Sequence, residues 1–149
     1  MKDLYSNIIA EQTIAPVTGG NSAAPAAVEI DLAGANSAVI LVLTGANGGT
    51  LTANNYWTWA LSHADDDGSG ASDSYADCVT ADVQGATISA TGIVVTVNAE
   101  DEDSTIYKVG YVGGKRFIKI TPAEAGTAPD LLQAVVCIKG DLLDAPPIA

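Results

Sequence analysis

Along most of this chain apolar and polar positions alternate in short runs separated by glycine-rich polar stretches. Val28, Ile30 and Leu32 alternate with Glu29 and Asp31, a period of two that predicts a half-buried strand because successive side chains on a strand point to opposite faces. Gly34-Ala35-Asn36 turns the chain, and Ala38 to Thr44 is then apolar on both faces. That run predicts a central strand covered on each side. In Tyr56 to His63, Trp57, Trp59 and Leu61 share one face and Thr58, Ala60 and Ser62 the other. This strand is expected to supply the bulky core aromatics, in preference to a sugar-stacking platform. A weaker strand is read over Tyr75 to Val83, and stronger ones over Gly92 to Val97, Thr105 to Val112, Lys115 to Thr121 and Leu131 to Ile138. Gly113-Gly114 joins two apolar-rich runs, which predicts a β-hairpin closed by a turn with positive φ at both glycines.

About seven or eight strands with glycine-rich turns and almost no helical periodicity predict an all-β fold, a single β-sandwich or small jelly-roll-like barrel. Residues 1–27 hold Pro16, Gly19-Gly20 and Pro25 with one apolar cluster at Leu4, Ile8 and Ile9, and read as an extended N-terminal arm. A short helix over Leu4 to Glu11 is marginal unless something else orders it. The sandwich is expected over 28–140 and a Pro-interrupted tail over 141–149. Deleting Met1 to Thr18 is expected to leave a folded domain.

At 149 residues one domain buries enough surface to fold without a metal or disulfide. No apolar run approaches the roughly 18 to 20 residues that span a bilayer, and no secretory signal is read at the N-terminus. A soluble protein made and assembled in a cytoplasm is the expectation. The net charge of −12 disfavours nucleic acid and anionic membrane as partners, since phosphate binding relies on Lys and Arg. Lys108, Lys115, Arg116, Lys119 and Lys139 all fall in the C-terminal third. This basic edge reads first as a solvated strand face, and otherwise as Lys115, Arg116 and Lys119 facing a carboxylate-rich protein surface, with Arg116 suited to a bidentate grip. The competing reading satisfies Arg116 within its own chain, from acids such as Glu100 to Asp103.

No catalytic constellation is read: His63 is the only histidine, and no nucleophile elbow, phosphate loop or zinc-protease spacing occurs. Cys78 and Cys137 lack zinc or redox spacing and read as buried thiols, with a disulfide as the alternative. Asp65, Asp67, Ser69, Gly70 and Asp73 match positions of a calcium loop. Ala76 then stands where a bidentate Glu is needed, so a solvated hairpin loop is favoured. No cofactor and no metal are assigned. Glu100 to Asp103 reads as a solvated acidic turn.

Val109 to Thr121, with Gly110-Tyr111-Val112-Gly113-Gly114-Lys115-Arg116-Phe117 at its centre, resembles the "GYxGxKRYxR" strand-turn-strand of the capsid decoration, or cement, proteins encoded beside the major capsid gene of tailed bacteriophages. Asp31-Leu32 with Gly34 and Ser37, and Trp59 to Asp66, are similar to other segments of that family. Phe117 replaces the usual Tyr and Lys119 the common Arg. The resemblance spans about Val28 to Pro146 and implies a non-enzymatic virion protein on the outer capsid surface, whose partners are the major capsid protein and further copies of itself, a trimer favoured over a dimer. A neck or tail structural protein, and a calcium- or sugar-binding β-sandwich module, are the alternatives. Leu4, Tyr5, Ile8 and Ile9 are expected to attach to the partner, with Lys115, Arg116 and Lys119 at the interface.

Overall fold

The computed structural model describes residues 4–20, 24–88 and 91–143. Two antiparallel sheets pack face to face as an all-β sandwich. The strands are β1 (Ile8–Gly19), β2 (Val28–Asp31), β3 (Ala35–Asn47), β4 (Tyr56–Ala64), β5 (Ala76–Asp77), β6 (Val83–Gln84), β7 (Ile93–Val97), β8 (Ile106–Tyr111), β9 (Phe117–Ala125) and β10 (Leu131–Leu142). The first sheet runs β1-β10-β3-β8-β6 and the second β2-β9-β4-β5, with β7 also paired to β4.

Alternation places the core. On β4, Trp57, Trp59 and Leu61 are fully buried, and the indole N–H of Trp57 donates to Pro129 O at 3.0 Å. Ile40 and Val42 on β3, Val109 on β8, Ile118 and Ile120 on β9 and Val135 on β10 close over them. Cys78 and Cys137 are free thiols in this interior. Burial pushes their pKa up, to about 12 for Cys78 and about 11 for Cys137, because a thiolate is poorly solvated there.

Several expectations are corrected. The segment read as an N-terminal arm contains β1, which pairs with β10 from Ile8 opposite Gly140 to Gly19 opposite Leu131. Its prolines and small residues argued for an arm, but Pro16 sits in a register shift between Ile14 and Val17 on an edge strand, where a missing N–H breaks no ladder. In keeping with the marginal helix read over Leu4 to Glu11, only a 3-10 turn over Tyr5–Asn7 forms there. The weak strand over Tyr75 to Val83 is broken into β5, a 3-10 turn at Thr80–Asp82, and β6.

The Gly113-Gly114 hairpin is also absent: β8 and β9 belong to different sheets, and the segment between them crosses the end of the sandwich. Positive φ occurs at Gly114 (72°) and not at Gly113. Gly113 serves close packing instead, since a Cβ there would lie 2.8 Å from the Tyr111 ring. β10 runs on through Leu142, beyond the expected end of the sandwich at 140, and residues 144–149 of the expected tail lie outside the described residues.

Leu61→Ala should destabilise the protein by about 2 to 5 kcal/mol, the cost of an internal cavity at a fully packed site. Urea unfolding with an unchanged slope is the measurement that checks it.

Candidate functional site

Three features draw attention: a charged clamp at one end of the sandwich, an apolar outer face, and a polar cluster between the sheets.

The clamp is built on Arg116, just before β9. Its Nε donates to Asp31 Oδ1 at 2.9 Å and its Nη2 to Asp31 Oδ2 at 2.8 Å, a bidentate grip on the last residue of β2. Nη1 bonds Asp66 in the β4–β5 loop, and the guanidinium lies 4.8 Å from the centre of the Phe117 ring. Lys115 pairs with Asp65. Lys119 lies 3.9 Å from the centre of the Tyr75 ring, and the Tyr75 hydroxyl donates to Glu29 at 2.5 Å. The carboxylates met by Lys115 and Arg116 are therefore in the same chain. They are Asp31, Asp65 and Asp66, and not Glu100 to Asp103.

The hydrogen bond from Arg116 holds the Asp31 carboxyl below the ordinary aspartate value. Asp66 is also lowered, chiefly by the backbone N–H groups of Gly70 and Gly68 and secondarily by Arg116. A shallow cleft of about 320 Å³ opens beside the clamp, between Leu32 to Ala38 and Tyr111 to Arg116.

Neither acidic loop stands open. Asp66 Oδ1 accepts the N–H groups of Gly68 at 2.7 Å and Gly70 at 3.1 Å, and Asp67 Oδ1 accepts those of Ser69 at 2.7 Å and Ala71 at 3.3 Å. These carboxylates close the β4–β5 loop on itself. In the other cluster Glu100 accepts from Leu51 N–H at 2.5 Å, Asp103 from Asn47 N–H at 3.0 Å, and Glu102 from Asn98 N–H at 2.7 Å. The acids expected to be merely solvated thus pin the loops at the opposite end of β3.

The apolar face is the outer side of the first sheet. Ala38, Ile40 and Val42 of β3 point into the core, so Val39, Leu41 and Leu43 point outward. Their neighbours continue the surface: Val39 lies between Ile138 and Gly110, Leu41 between Val136 and Lys108, and Leu43 between Ala134 and Ile106. Lys108 is the only charged residue in these rows. Val39, Leu41, Leu43, Val136 and Ile138 are half-buried, while Ile106 is 64% exposed and Leu132 is 47% exposed. The sequence anticipated cover on both faces of this strand, and the folded chain covers one.

The predicted attachment cluster divides. Leu4 and Tyr5 are 69% and 77% exposed, Ile9 is exposed, and Ile8 is half-buried in β1. Because Ile8 pairs with Gly140, Leu4 and Tyr5 run alongside the end of β10, where Leu143 is also exposed.

The polar cluster was not legible in sequence spacing. His63 ends the inward face of β4, Cys78 donates its backbone N–H to Leu61 O at 3.0 Å, and Asp82 lies in the 3-10 turn that accepts the Val112 N–H at 2.8 Å. One side-chain donor atom from each of His63, Cys78 and Asp82 lies within 4.8 Å of the others. His63 Nδ1 is hydrogen-bonded with the Tyr111 hydroxyl at 3.0 Å, and that hydroxyl accepts the Lys115 N–H at 3.0 Å. The pairing of β4 with β5 was the signal that brings residues 63 and 78 together, but so short a strand leaves little trace in the hydrophobic pattern.

Among the described residues no helix is long and apolar enough to cross a membrane. Comparison with protein-family models, with curated proteins and with solved structures finds no match.

The clamp makes a pH prediction. A carboxyl lowered by folding contributes stability that is fully present above its ordinary value of 3.8 and is lost as pH falls through its lower folded value. Arg116→Met should therefore flatten the acid limb of melting temperature between about pH 5 and about pH 2. It should not remove the limb, because Asp66 keeps its backbone donors. An unchanged acid limb would show that the grip contributes nothing to stability.

Proposed function

We propose that this chain is a structural virion protein that binds the outer surface of a tailed-phage capsid and stabilises contacts between major capsid subunits, as the resemblance around Tyr111 to Phe117 implies. The observation that carries the reading is the apolar outer face of the first sheet. A chain with net charge −12 has carboxylates enough to solvate its surface, yet across β10, β3 and β8 it presents Val136, Ile138, Val39, Leu41, Leu43 and Ile106 with one lysine among them. Such a face fits contact with other protein subunits.

Magnitude decides how this face works. Three strands about 4.8 Å apart and five residues at about 3.3 Å each give roughly 240 Å², no larger than the apolar patch of an ordinary monomer. At about 25 cal/mol per Å² its burial is worth roughly 6 kcal/mol, at the low end of the approximate 4 to 15 kcal/mol cost of association. One such contact is weak alone. Durable attachment therefore draws on additional contacts, and exposed Leu4, Tyr5 and Leu143 supply a second apolar point at the end of the β1–β10 pair. Lys115, Arg116 and Lys119 serve this function indirectly, by holding the end of the sandwich in shape. The partners are the major capsid protein and neighbouring copies of this chain. Since β1 is part of the first sheet, removing Met1 to Thr18 deletes an edge strand and does not isolate attachment from folding; point changes do.

Ile106→Glu with Leu132→Glu should leave stability within about 0.5 kcal/mol per site, as expected for exposed positions. The double variant should occupy heads assembled without the protein at least tenfold more weakly, a loss of about 1.4 kcal/mol. Occupancy is read by quantitative electrophoresis of purified heads, with Asp73→Asn, in the exposed β4–β5 loop at the other end of the sandwich, as the control. Full occupancy by the double variant would remove the apolar face from the mechanism.

A further inference from the structure

We propose that His63, Cys78 and Asp82 form a binding site for a zinc ion between the two sheets. The proposal is independent of the capsid reading and rests on the convergence of three elements. His63 comes from the end of β4, Cys78 from the segment after β5, and Asp82 from the 3-10 turn before β6. They meet where Val83 of β6 pairs with Tyr111 of β8, so the second sheet contributes one ligand and the segment that leads from it into the first sheet contributes the other two.

The donor set selects the metal. A thiolate, an imidazole and a carboxylate suit zinc, whereas calcium and magnesium take oxygen ligands. Tetrahedral zinc, with bonds of about 2.0 to 2.3 Å, holds such donors roughly 3.3 to 3.8 Å apart. The three side chains already converge within 4.8 Å, so rotations that close the remaining distance by about 1 Å complete the cradle. Three protein ligands leave a fourth position for water, on the side where His63 and Asp82 are half-buried rather than sealed.

The surroundings orient the ligands. His63 Nδ1 is engaged by Tyr111 at 3.0 Å, which fixes the ring as outer hydrogen bonds commonly do for metal-bound histidines. Asp82 Oδ2 accepts the Val79 N–H at 2.8 Å, which leaves Oδ1 available. Cys78 is 1% exposed and lines the cluster from the interior, and a thiol that coordinates a divalent cation gives up its proton. Binding thus forms the Zn–S bond and releases the thiol proton to solvent.

The test uses full-length protein stripped with a chelator and titrated with zinc by calorimetry in buffers of different ionisation enthalpy, then with cobalt(II) as a spectroscopic substitute. Expected are one zinc per chain, release of about one proton per ion, and a thiolate-to-cobalt charge-transfer band with the intense d–d absorption of four-coordinate cobalt. Cys78→Ser should abolish the charge-transfer band and Cys137→Ser should keep it. Tyr111→Phe, which retains the ring, should weaken zinc about 10- to 100-fold. Asp82→Asn gives a second ligand variant should Cys78→Ser fail to fold, and it should bind at least tenfold more weakly. Absence of the charge-transfer band in the unaltered protein would overturn the proposal. So would an identical band in Cys78→Ser, or binding that Asp82→Asn and Tyr111→Phe leave unchanged.

Discussion

Burial of one face of β4 between the sheets is the constraint on which the rest depends. Trp57, Trp59 and Leu61 are its inward residues and all are fully buried. Two indoles, with ring centres 6.5 Å apart, fill much of the space between the layers, and β9 and β7 take their register from the strand that carries them. The same period of two continues one step further and aims His63 at the end of the interior. There the apolar filling gives way to the hydroxyl of Tyr111, the thiol of Cys78 and the carboxylate of Asp82. The core and the polar cluster are consecutive consequences of one alternating strand.

The end of the sandwich near Tyr111 is held differently from its middle. The chain passes from β8 in one sheet to β9 in the other, and the crossing segment contributes its backbone and side chains to three connections. Lys115 N–H bonds the Tyr111 hydroxyl, Arg116 grips Asp31 of β2, and its remaining nitrogen bonds Asp66 in the β4–β5 loop. The segment around Gly113 and Gly114 is therefore a junction that fixes the ends of β2, β4 and β9 relative to one another. The charges of Lys115 and Arg116 are paired within the chain.

The outer face of the first sheet and the acidic composition belong to one arrangement. Acids are concentrated in loops, where Asp66, Asp67, Glu100, Glu102 and Asp103 accept backbone N–H groups, while the outward rows of β10 and β3 carry Val, Leu, Ile and Ala. Local turn chemistry and the surface available for contact are separated in space.

The sequence by itself determined that the chain is all-β and which strands carry the core, because alternation and the placement of Trp57, Trp59 and Leu61 are local properties with a period of two. It also offered carboxylates as partners for Arg116. Tertiary structure alone decided which ones, since Asp31 and Asp66 approach Arg116 only after separate segments have paired. It made a strand of the Pro16 segment, because an edge position and a register shift remove the penalty that proline carries inside a ladder. It turned the Gly113-Gly114 segment into a crossover, because glycines permit a turn but do not specify whether the flanking strands pair with each other. It left the outer face of β3 uncovered, since an apolar run states that both faces want cover without stating which chain supplies it. It brought His63, Cys78 and Asp82 together through short strands whose pairing depends on contacts from elsewhere in the fold, and no spacing along the chain records that meeting.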